Sequence, residues 1–275
     1  MEVRSLSARE ARVVLSLEAE GKEEVTLDLV QEKAGVSRGF ARKIAHDLVT
    51  KGWLQRFGRA RYLLNPARHG PEAVPDTDPL RLGSRIARPY YFAFATAGEL
   101  LRLLPQASRT YYVVTTARVN SRVTHAAEFR VVHCSRPRFF GFRSLVRRGV
   151  TIHVSDRERT VLDCLDRPEF SGGLPGAVRV LESAGRDLDW ERLDRYLQRF
   201  GRRTLELRLG FLAEMLRPRV EPPRWWTRRR MARPGEPWVP LGPPKQFGRR
   251  GHHDPTWHLV KNVPRAVLLG EVDLR

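Results

Sequence analysis

The sequence is poor in cysteine, poor in lysine and free of long apolar runs. Only Cys134 and Cys164 occur among its 275 residues, and neither belongs to a CxxC pair or a histidine ladder. We therefore exclude a disulfide framework and expect a reducing compartment, the cytoplasm. No apolar run is long enough to cross a bilayer, and the charged N-terminus lacks the apolar core of a signal peptide. We expect a soluble protein without a membrane partner.

Positive charge dominates the composition. The chain has 50 lysines and arginines against 31 acidic residues, which gives a formal net charge of +19. Six of the 50 are lysines and the other 44 are arginines, a bias that a GC-rich genome can also produce. The excess favours a polyanionic partner such as nucleic acid, but the positions of the charges are more informative than their sum. A hydrophobic content of 41% can fill more than one core and indicates at least two domains.

The stretch from Ala34 to Leu64 has the pattern of a winged helix-turn-helix. Gly35 and Val36 are typical of the turn, Ser37 can cap the following helix, and Gly52 can end it. At 100° per residue, one face of this helix is apolar and is formed by Phe40, Ala41, Ile44 and Leu48. The opposite face is polar and basic and is formed by Arg38, Gly39, Arg42 and His46.

A short basic hairpin is predicted directly after this helix. Residues 53–64 alternate well enough for two strands around Gly58, with three arginines at the tip: Arg56, Arg59 and Arg61. In the functional interpretation, the helix enters a DNA major groove and the hairpin, or wing, lies on the backbone or in the minor groove. Base edges would be approached by Arg38, Arg42 and His46, and phosphates held by Ser37, Lys43 and the three wing arginines. The alternative is a solvated helix followed by an ordinary hairpin.

Two further helices complete this N-terminal region. Ser7 and Glu10 have the spacing of a capping box for a first helix that runs to about Glu20. Its apolar stripe is formed by Ala11, Val14, Leu15 and Ala19. Thr26 opens a second, shorter helix. Residues 1–65 are therefore predicted to form a winged helix-turn-helix domain, and the Pro- and Gly-rich residues 66–88 a semi-rigid linker without helix or central strand.

Residues 89–216 predict a mixed α/β domain with a helical C-terminal part. Capping-box spacing occurs at Thr96 with Glu99 and at Ser155 with Glu158. Three runs rich in β-branched and aromatic residues predict strands: Arg109–Thr116, Glu128–His133 and Val150–Val154. Three helices are predicted near the end of this region, at about Pro175–Ala184, Trp190–Phe200 and Arg203–Leu216, with Asp189 as a cap and Gly185 and Gly201 as stops. The fold class predicted for the whole chain is α+β.

Residues 217–275 form an Arg-, Pro- and Trp-rich segment that packs on the preceding domain or extends it. Its tryptophans alternate with arginines between residues 217 and 250: Trp225, Trp226 and Trp238. Such a segment can bind single-stranded nucleic acid by stacking and phosphate neutralisation. It can equally pack its tryptophans on the protein and leave its arginines in solvent. The run from residue 257 to residue 274 is compatible with either strand or helix.

No metal or cofactor site is predicted. A histidine-rich cluster lies near the C-terminus and consists of His252, His253, Asp254 and His258. No second ligand cluster with recognisable spacing accompanies it, and adjacent histidines usually belong to a polar surface. We expect neither a metal ion nor a cofactor.

No catalytic residue is predicted either. Two acidic pairs can be drawn as catalytic carboxylates: Asp163 with Asp166, and Asp187 with Asp189. Neither pair stands beside a Gly-rich phosphate loop, a GxSxG elbow or a Cys/His arrangement, and acids near helix starts more often serve as caps. Arg157 and Arg159 can face a partner, or they can pair with acids of the same helix, namely Asp156, Glu158 or Asp163. The prediction is a protein that is not an enzyme.

Several stretches together resemble the AbiEi family of antitoxins. They are DPLRLGSRIARPYYFAFATAGELLRLL, the strands RTYYVVTTAR and FRVVHCS, the RFFGF stretch and VTIHVSDRERTVLDCLDRPEFSGG. The most specific parts are PYYFAFATA and SDRERTVLDCLDRPE, and the similarity extends from about Ser7 to Leu216. The long Arg/Trp/Pro stretch after Leu216 departs from the family pattern.

The resemblance implies a two-part protein from a phage-defence, or abortive-infection, toxin–antitoxin operon. Its N-terminal domain would bind double-stranded DNA at inverted repeats in its own promoter and repress the operon. Its C-terminal domain would oppose a nucleotidyltransferase toxin, in the type IV manner that needs no stable complex, and no toxin-opposing residue is carried over. Two other functions remain open. One is a nucleic-acid-processing enzyme that the winged helix targets; the other is a ligand-responsive transcriptional regulator without a toxin.

Overall fold

The computed structural model describes residues 4–70, 78–105, 109–123, 127–147 and 149–271. The chain divides between Asp78 and Pro79 into two compact units, here called unit 1 and unit 2. Both units combine helices with sheets, and the chain as a whole has an α+β fold, as the sequence predicts. The elements of each unit are described separately below.

Within residues 4–70, unit 1 has three α-helices and a three-stranded antiparallel sheet. In chain order the elements are α1 (Ala8–Ala19), β1 (Glu24–Thr26), α2 (Leu27–Ala34), α3 (Arg38–Thr50), β2 (Leu54–Gly58) and β3 (Arg61–Leu64). The sheet has the order β1-β3-β2, so β3 lies between its hairpin partner and the strand that precedes α2. The predicted helices and hairpin occur at the expected positions. β1 was not predicted, because three residues are too few to establish an alternating pattern.

The helices of unit 1 begin and end where the sequence supplies caps. The Ser7 hydroxyl accepts from the Glu10 backbone and the Glu10 carboxylate accepts from the Ser7 backbone, which confirms the predicted capping box. Thr26 caps α2 through its hydroxyl alone, which accepts from the backbone N–H of Leu29. Gly35 ends α2 with a left-handed φ of 64°, a conformation that glycine adopts without strain. Ser37 is the residue before α3, but its side chain makes no capping hydrogen bond.

The core of unit 1 draws on its helices and on the hairpin. Its fully or nearly fully buried members include Val13, Val14, Leu17, Val30, Ile44, Leu48, Trp53 and Leu54. Three residues that the sequence placed on apolar faces are exposed instead: Leu15, Ala19 and Phe40. Leu15 follows Val14 by 100° and points away from the core. Phe40 lies at the edge of the apolar face of α3 and is 38% exposed, with the guanidinium of Arg9 5.4 Å from its ring.

The stretch 66–88, predicted to be a linker without helix, is helical near its end. Helix α4 (Pro79–Gly83) belongs to unit 2, where Leu82 and Ile86 are fully buried. Gly83 allows α4 to pack closely on the sheet, because a Cβ there would lie 2.7 Å from the ring of Phe92. The prediction failed because Pro79 occupies the first position of the helix, where a missing N–H is tolerated. Residues 71–77 of the predicted linker lie outside the described residues.

A six-stranded mixed sheet forms one layer of unit 2. Its strands are β4 (Tyr90–Phe92), β5 (Thr110–Thr115), β6 (Arg122–Val123), β7 (Glu128–His133), β8 (Phe142–Arg147) and β9 (Val150–Ser155). Their order is β6-β7-β5-β4-β9-β8, with β5 parallel to β7 and β4 parallel to β9. The three predicted strands are confirmed as β5, β7 and β9. β4 and β6 are too short to be recognised, and β8 lacks a clear alternation because residues on both of its faces are exposed.

Five helices between residues 94 and 215 accompany this sheet in the described part of this range, and the last four of them contribute to the main core of unit 2. They are α5 (Phe94–Leu100), α6 (Arg157–Asp166), α7 (Gly173–Ala184), α8 (Trp190–Phe200) and α9 (Arg203–Met215). The three helices predicted at the end of this region are confirmed as α7, α8 and α9. Asp189 caps α8, and Gly185 and Gly201 end α7 and α8 as expected.

Two predicted capping boxes in unit 2 are wrong. α5 follows Ala93, so Thr96 lies inside the helix, where its hydroxyl accepts a hydrogen bond from the backbone of Tyr112 at 2.9 Å. α6 is capped by Asp156 and not by Ser155, whose hydroxyl is 2.7 Å from that of Thr160. In both cases the side chain that the local spacing assigned to a cap makes a hydrogen bond with another residue instead.

The C-terminal segment completes the core of unit 2. Its elements are α10 (Arg224–Arg230), β10 (Val239–Pro240), α11 (Pro244–Phe247), β11 (His252–Asp254), β12 (Leu259–Lys261) and α12 (Arg265–Leu268). Trp226 and Trp257 are fully buried in the core shared with α9. Trp257 packs on Gly210, where a Cβ would lie only 2.1 Å from its ring, and its Nε1 donates to Glu214 at 2.8 Å. The segment therefore packs on the preceding domain, and its last run contributes both a strand and a helix.

Candidate nucleic-acid interface

The exposed face of α3 carries every helical residue that the sequence assigns to DNA contact. The buried side of the helix is formed by Ala41, Ile44, Ala45 and Leu48. The direction opposite to it is occupied by Gly39, Lys43, His46 and Thr50, flanked by Arg38 and Arg42. All of these residues are exposed, and so is Ser37 at the start of the helix. α3 therefore presents a polar and basic ridge to solvent.

The cations at this surface differ in whether they already have a partner. Arg42 and Lys43 make no side-chain hydrogen bond or ion pair with any described residue. Arg38 lies 2.6 Å from Asp28, but both side chains are more than half exposed. An exposed ion pair of this kind contributes about 0.2–1 kcal/mol. Arg38 can therefore exchange its carboxylate partner for a phosphate at little cost.

Lys51, directly after α3, is a structural cation. Its Nζ lies 2.7 Å from the buried carboxylate of Glu10, which also belongs to the capping box of α1. Burial opposes the ionisation of Glu10, but the bonds from Lys51 and Ser7 outweigh it and keep the pKa of Glu10 below its ordinary value. The pair joins the start of α1 to the end of α3 and so holds the basic helix in place.

The hairpin supplies two free cations and one that is engaged. Arg56 on β2 and Arg59 in the turn are exposed and have no side-chain partner among the described residues. Arg61 begins β3, the central strand, and its Nη2 lies 3.1 Å from the carboxylate of Glu24 on β1. The sequence grouped all three arginines at the tip. It missed the ion pair of Arg61 because the pairing of β3 with β1 was not predicted.

The charge distribution and an exposed glycine also favour the surface of α3 and the hairpin as the place where a polyanion binds. Asp47 is the only acid between Ala34 and Leu64, against seven lysines and arginines. Gly39 is an exposed helical glycine with an ordinary φ, and a Cβ there would meet nothing within 4 Å. Nothing in the fold requires glycine at this position, whereas a close approach by another molecule would. Sequence reasoning also missed the exposure of the Phe40 ring, because the spacing of apolar residues does not distinguish a ring at the edge of a helix face from one in the core.

The two acidic pairs do not form open carboxylate pairs. Each of the four acids has a partner: Asp163 binds Arg159, Asp166 binds Arg202, Asp187 binds Arg157 and Asp189 caps α8. Arg159 thus pairs within its own helix, as one interpretation of the sequence held. Arg157 instead binds Asp187, which lies outside α6.

The tryptophans and histidines of the C-terminal segment are divided between core and surface. Trp226 is buried, whereas Trp225 and Trp238 are close to half exposed. Trp238 stacks between His253 and His258, with ring centroids 4.5 and 4.7 Å away. Across the described parts of the chain, no group of three His, Cys, Asp or Glu side chains is arranged to hold a metal ion. Within the same residues, no helix is long and apolar enough to span a bilayer.

No model of a known protein family matches the sequence, and no curated protein matches it. The fold is similar to that of a solved structure, the RV2827C protein from Mycobacterium tuberculosis. The TM-score is 0.61, the similarity covers 93% of this chain and 92% of that chain, and 19% of the residues are identical. At this level of identity the similarity shows the fold alone. The α+β arrangement therefore recurs in another protein over nearly its full length.

Proposed function

We propose that this chain is a DNA-binding antitoxin of the AbiEi type, which represses its own operon through a winged helix-turn-helix in unit 1. The observation that carries the DNA-binding part is the set of exposed, unpaired cations on α3 and the hairpin: Arg42, Lys43, Arg56 and Arg59. Such cations have no ion pair to give up when they meet a phosphate. Their release of counterions from DNA supplies affinity that depends on salt.

α3 is the element that enters the major groove in this proposal. Arg42, Arg38 and His46 approach base edges, where arginine can bind guanine through two hydrogen bonds. Ser37 and Lys43 hold the phosphates beside the helix. The hairpin places Arg59 and Arg56 on the neighbouring backbone, while Arg61 contributes only if Glu24 releases it.

Support for the antitoxin part comes from the sequence resemblance. Its most specific run, SDRERTVLDCLDRPE, forms the end of β9, all of α6 and the residues after it. Several charged side chains of this run, among them Arg157, Glu158 and Arg159, bind one another or nearby residues of unit 2. These pairs contribute to the fold of unit 2, and the proposal assigns no toxin-opposing residue.

Gel shifts on the DNA upstream of the operon test the DNA-binding part. Arg42→Ala should weaken specific binding by about 1–3 kcal/mol, roughly 5- to 150-fold, and relax the sequence preference. Arg59→Ala should weaken binding to all sequences alike and lower the slope of log affinity against log salt by about one. Lys22→Ala is the matched control, because Lys22 is exposed and lies on neither α3 nor the hairpin. Wild-type binding by both arginine variants would remove α3 and the hairpin from the interface.

Co-expression tests the antitoxin part separately. The chain is expressed with the product of the neighbouring gene, which the proposal expects to be a nucleotidyltransferase toxin, and growth is followed. We expect the Arg42→Ala, Arg59→Ala double variant to relieve growth arrest as well as the wild type does, although it no longer represses the operon. If the wild-type chain relieves no arrest, the protein is a DNA-binding regulator without an antitoxin role.

A further inference from the structure

A small polar cavity lies between the sheet of unit 2 and α6. Tyr91, Val114 and Val132 are cross-strand neighbours on β4, β5 and β7, so their side chains share one face of the sheet. Arg159 and Asp163 reach the same cavity from α6. Its volume is about 180 Å³, roughly that of six water molecules at ~30 Å³ each. The cavity has the size of one ring system, well below that of a drug-sized ligand.

Three polar groups of this cavity have hydrogen-bonding capacity that no described residue satisfies. Arg159 donates from Nε to Oδ1 of Asp163 and from Nη1 to the carbonyl of Arg138, both at 2.9 Å, and its Nη2 has no partner. Oδ2 of Asp163 and the hydroxyl of Tyr91 are buried without a partner. A buried polar group left unpaired costs about 1–3 kcal/mol. A ligand that pairs with the two buried groups, Oδ2 of Asp163 and the Tyr91 hydroxyl, removes this cost, and Nη2 of Arg159 can donate to the same ligand.

Burial fixes the donor and acceptor roles in the cavity. As whole residues, Asp163 and Tyr91 are 4% and 0% exposed. Burial raises the pKa of Asp163, and Arg159 opposes that rise. Burial, and secondarily the charge of Asp163, raises the pKa of Tyr91 well above its ordinary value, so Tyr91 stays a neutral phenol that can donate. Because Oδ1 of Asp163 accepts from Arg159 at 2.9 Å, the cavity offers Oδ2 of this carboxylate as an acceptor, with Nη2 of Arg159 and the Tyr91 hydroxyl as donors. Its complement is a ligand edge on which an N–H stands beside an acceptor atom.

One cation at the edge of the cavity has no acidic partner. Arg167 is half-buried and lines the cavity, and its guanidinium lies 5.8 Å from the centre of the Phe170 ring but makes no hydrogen bond or ion pair with any described residue. The neighbouring Asp166 is occupied by Arg202, and Arg138 donates to the carbonyl of Phe200 at 2.7 Å. Arg167 is therefore available for an anionic group of a ligand whose uncharged part lies inside.

We propose that unit 2 binds a nucleoside monophosphate, with the edge of its base on Arg159 and Asp163 and its phosphate on Arg167. The Watson–Crick edges of bases carry adjacent donors and acceptors, and the rings of Phe94 and Phe200 give a planar base apolar surfaces to pack against. An inorganic anion would leave Asp163 unpaired. A free amino acid would bring an ammonium group next to Arg159 and Asp163, whose opposite charges already balance each other.

The nucleotide site stands on the cavity and not on the DNA-binding function proposed above. The two are tested on different residues, and each can fail while the other holds. Nucleotide binding is measured on the full chain, and the Arg42→Ala, Arg59→Ala double variant reports whether a nucleotide instead binds the basic surface of unit 1.

Isothermal titration calorimetry with AMP, GMP, CMP, UMP and inorganic phosphate tests the nucleotide site. We expect at least one of the four nucleotides to bind at one site per chain and at least tenfold more tightly than inorganic phosphate. Arg167→Gln and Tyr91→Phe should each weaken that binding tenfold or more. Arg195→Gln, the same change at an exposed α8 arginine without a partner among the described residues, should leave it unchanged.

Four outcomes overturn the proposal. They are no binding of any nucleotide, phosphate binding as tight as that of every nucleotide, wild-type affinity in both cavity variants, and loss of nucleotide binding in the double variant of unit 1. The Tyr91→Phe variant is expected to remain folded, because removing an unpaired buried hydroxyl should leave the unliganded protein at least as stable as the wild type. Loss of nucleotide binding by that stable variant cannot be ascribed to unfolding.

Discussion

Arg230 is expected to be the most costly arginine to remove from the C-terminal segment. Its guanidinium lies 2.6 Å from Asp194 on α8 and 3.1 Å from Glu206 on α9, and all three side chains are buried. It thereby ties α10 to two helices of the core. Replacing it with alanine leaves two buried carboxylates without their shared cation, a change that typically costs about 3–5 kcal/mol.

The magnitude should fall near the lower end of that range. Arg203 remains 2.8 Å from Glu206, and Arg229 remains 3.4 Å from Asp194, so neither carboxylate is left entirely alone. We expect Arg230→Ala to lower the free energy of unfolding of unit 2 by about 3 kcal/mol. Urea unfolding of the full chain, followed by tryptophan fluorescence, measures the change, since Trp226 is buried on the same helix.

The neighbouring Arg228 provides the matched control. It is exposed on α10 and has no side-chain partner among the described residues, so Arg228→Ala should change stability by no more than about 0.5 kcal/mol. The two arginines lie in the same short helix, RWWTRRR, and differ in their burial and their partners. Equal stabilities of the Arg230 and Arg228 variants would therefore refute the reasoning.

Two further predictions concern unit 1. Gly39→Ala should raise the free energy of unfolding by about 0.5–1 kcal/mol, because alanine favours the helix and its Cβ meets no atom there. The same variant should weaken DNA binding in gel shifts. Unchanged binding would mean that no partner approaches this face of α3. Glu10→Gln keeps the capping box but removes the charge opposite Lys51. Because the folded-state pKa of Glu10 is lowered, its stabilisation is fully present above the ordinary glutamate pKa and is lost as the pH falls through the lowered value. Urea unfolding across this range should show a smaller acid loss in the variant, and identical pH profiles would contradict the role of the pair.

The long helices were the most predictable part of the fold. α8 runs from Trp190 to Phe200, as predicted, because Asp189 and Gly201 mark its ends and its apolar period is regular. β8 and α4 were missed for opposite physical reasons. β8 is exposed on both faces and so lacks an alternating pattern, whereas the proline at the start of α4 resembles a linker residue when burial is unknown.

The candidate sites also differ in how far the sequence predicts them. The basic face of α3 follows from helical spacing alone, and its exposure agrees with that prediction. The ion pair of Arg61 with Glu24 depends on sheet pairing, which local sequence does not specify. The cavity of unit 2 was beyond sequence reasoning, because Tyr91 and Asp163 come from elements far apart in the chain and both look like ordinary structural residues.

The packing of Trp257 on Gly210 has a consequence for synthesis on the ribosome. The described core of unit 1 uses no residue after Leu64, so this unit can fold while most of the chain is still being made. Unit 2 cannot close its core until Trp257 and Leu268 have emerged, and until then its leucine-rich helices stay partly uncovered. A ribosome that stops between these two stages is expected to release a folded unit 1 attached to an unfolded unit 2. A truncated gene would therefore still encode a folded unit 1, with the DNA binding proposed for it, while any activity of unit 2 would be lost.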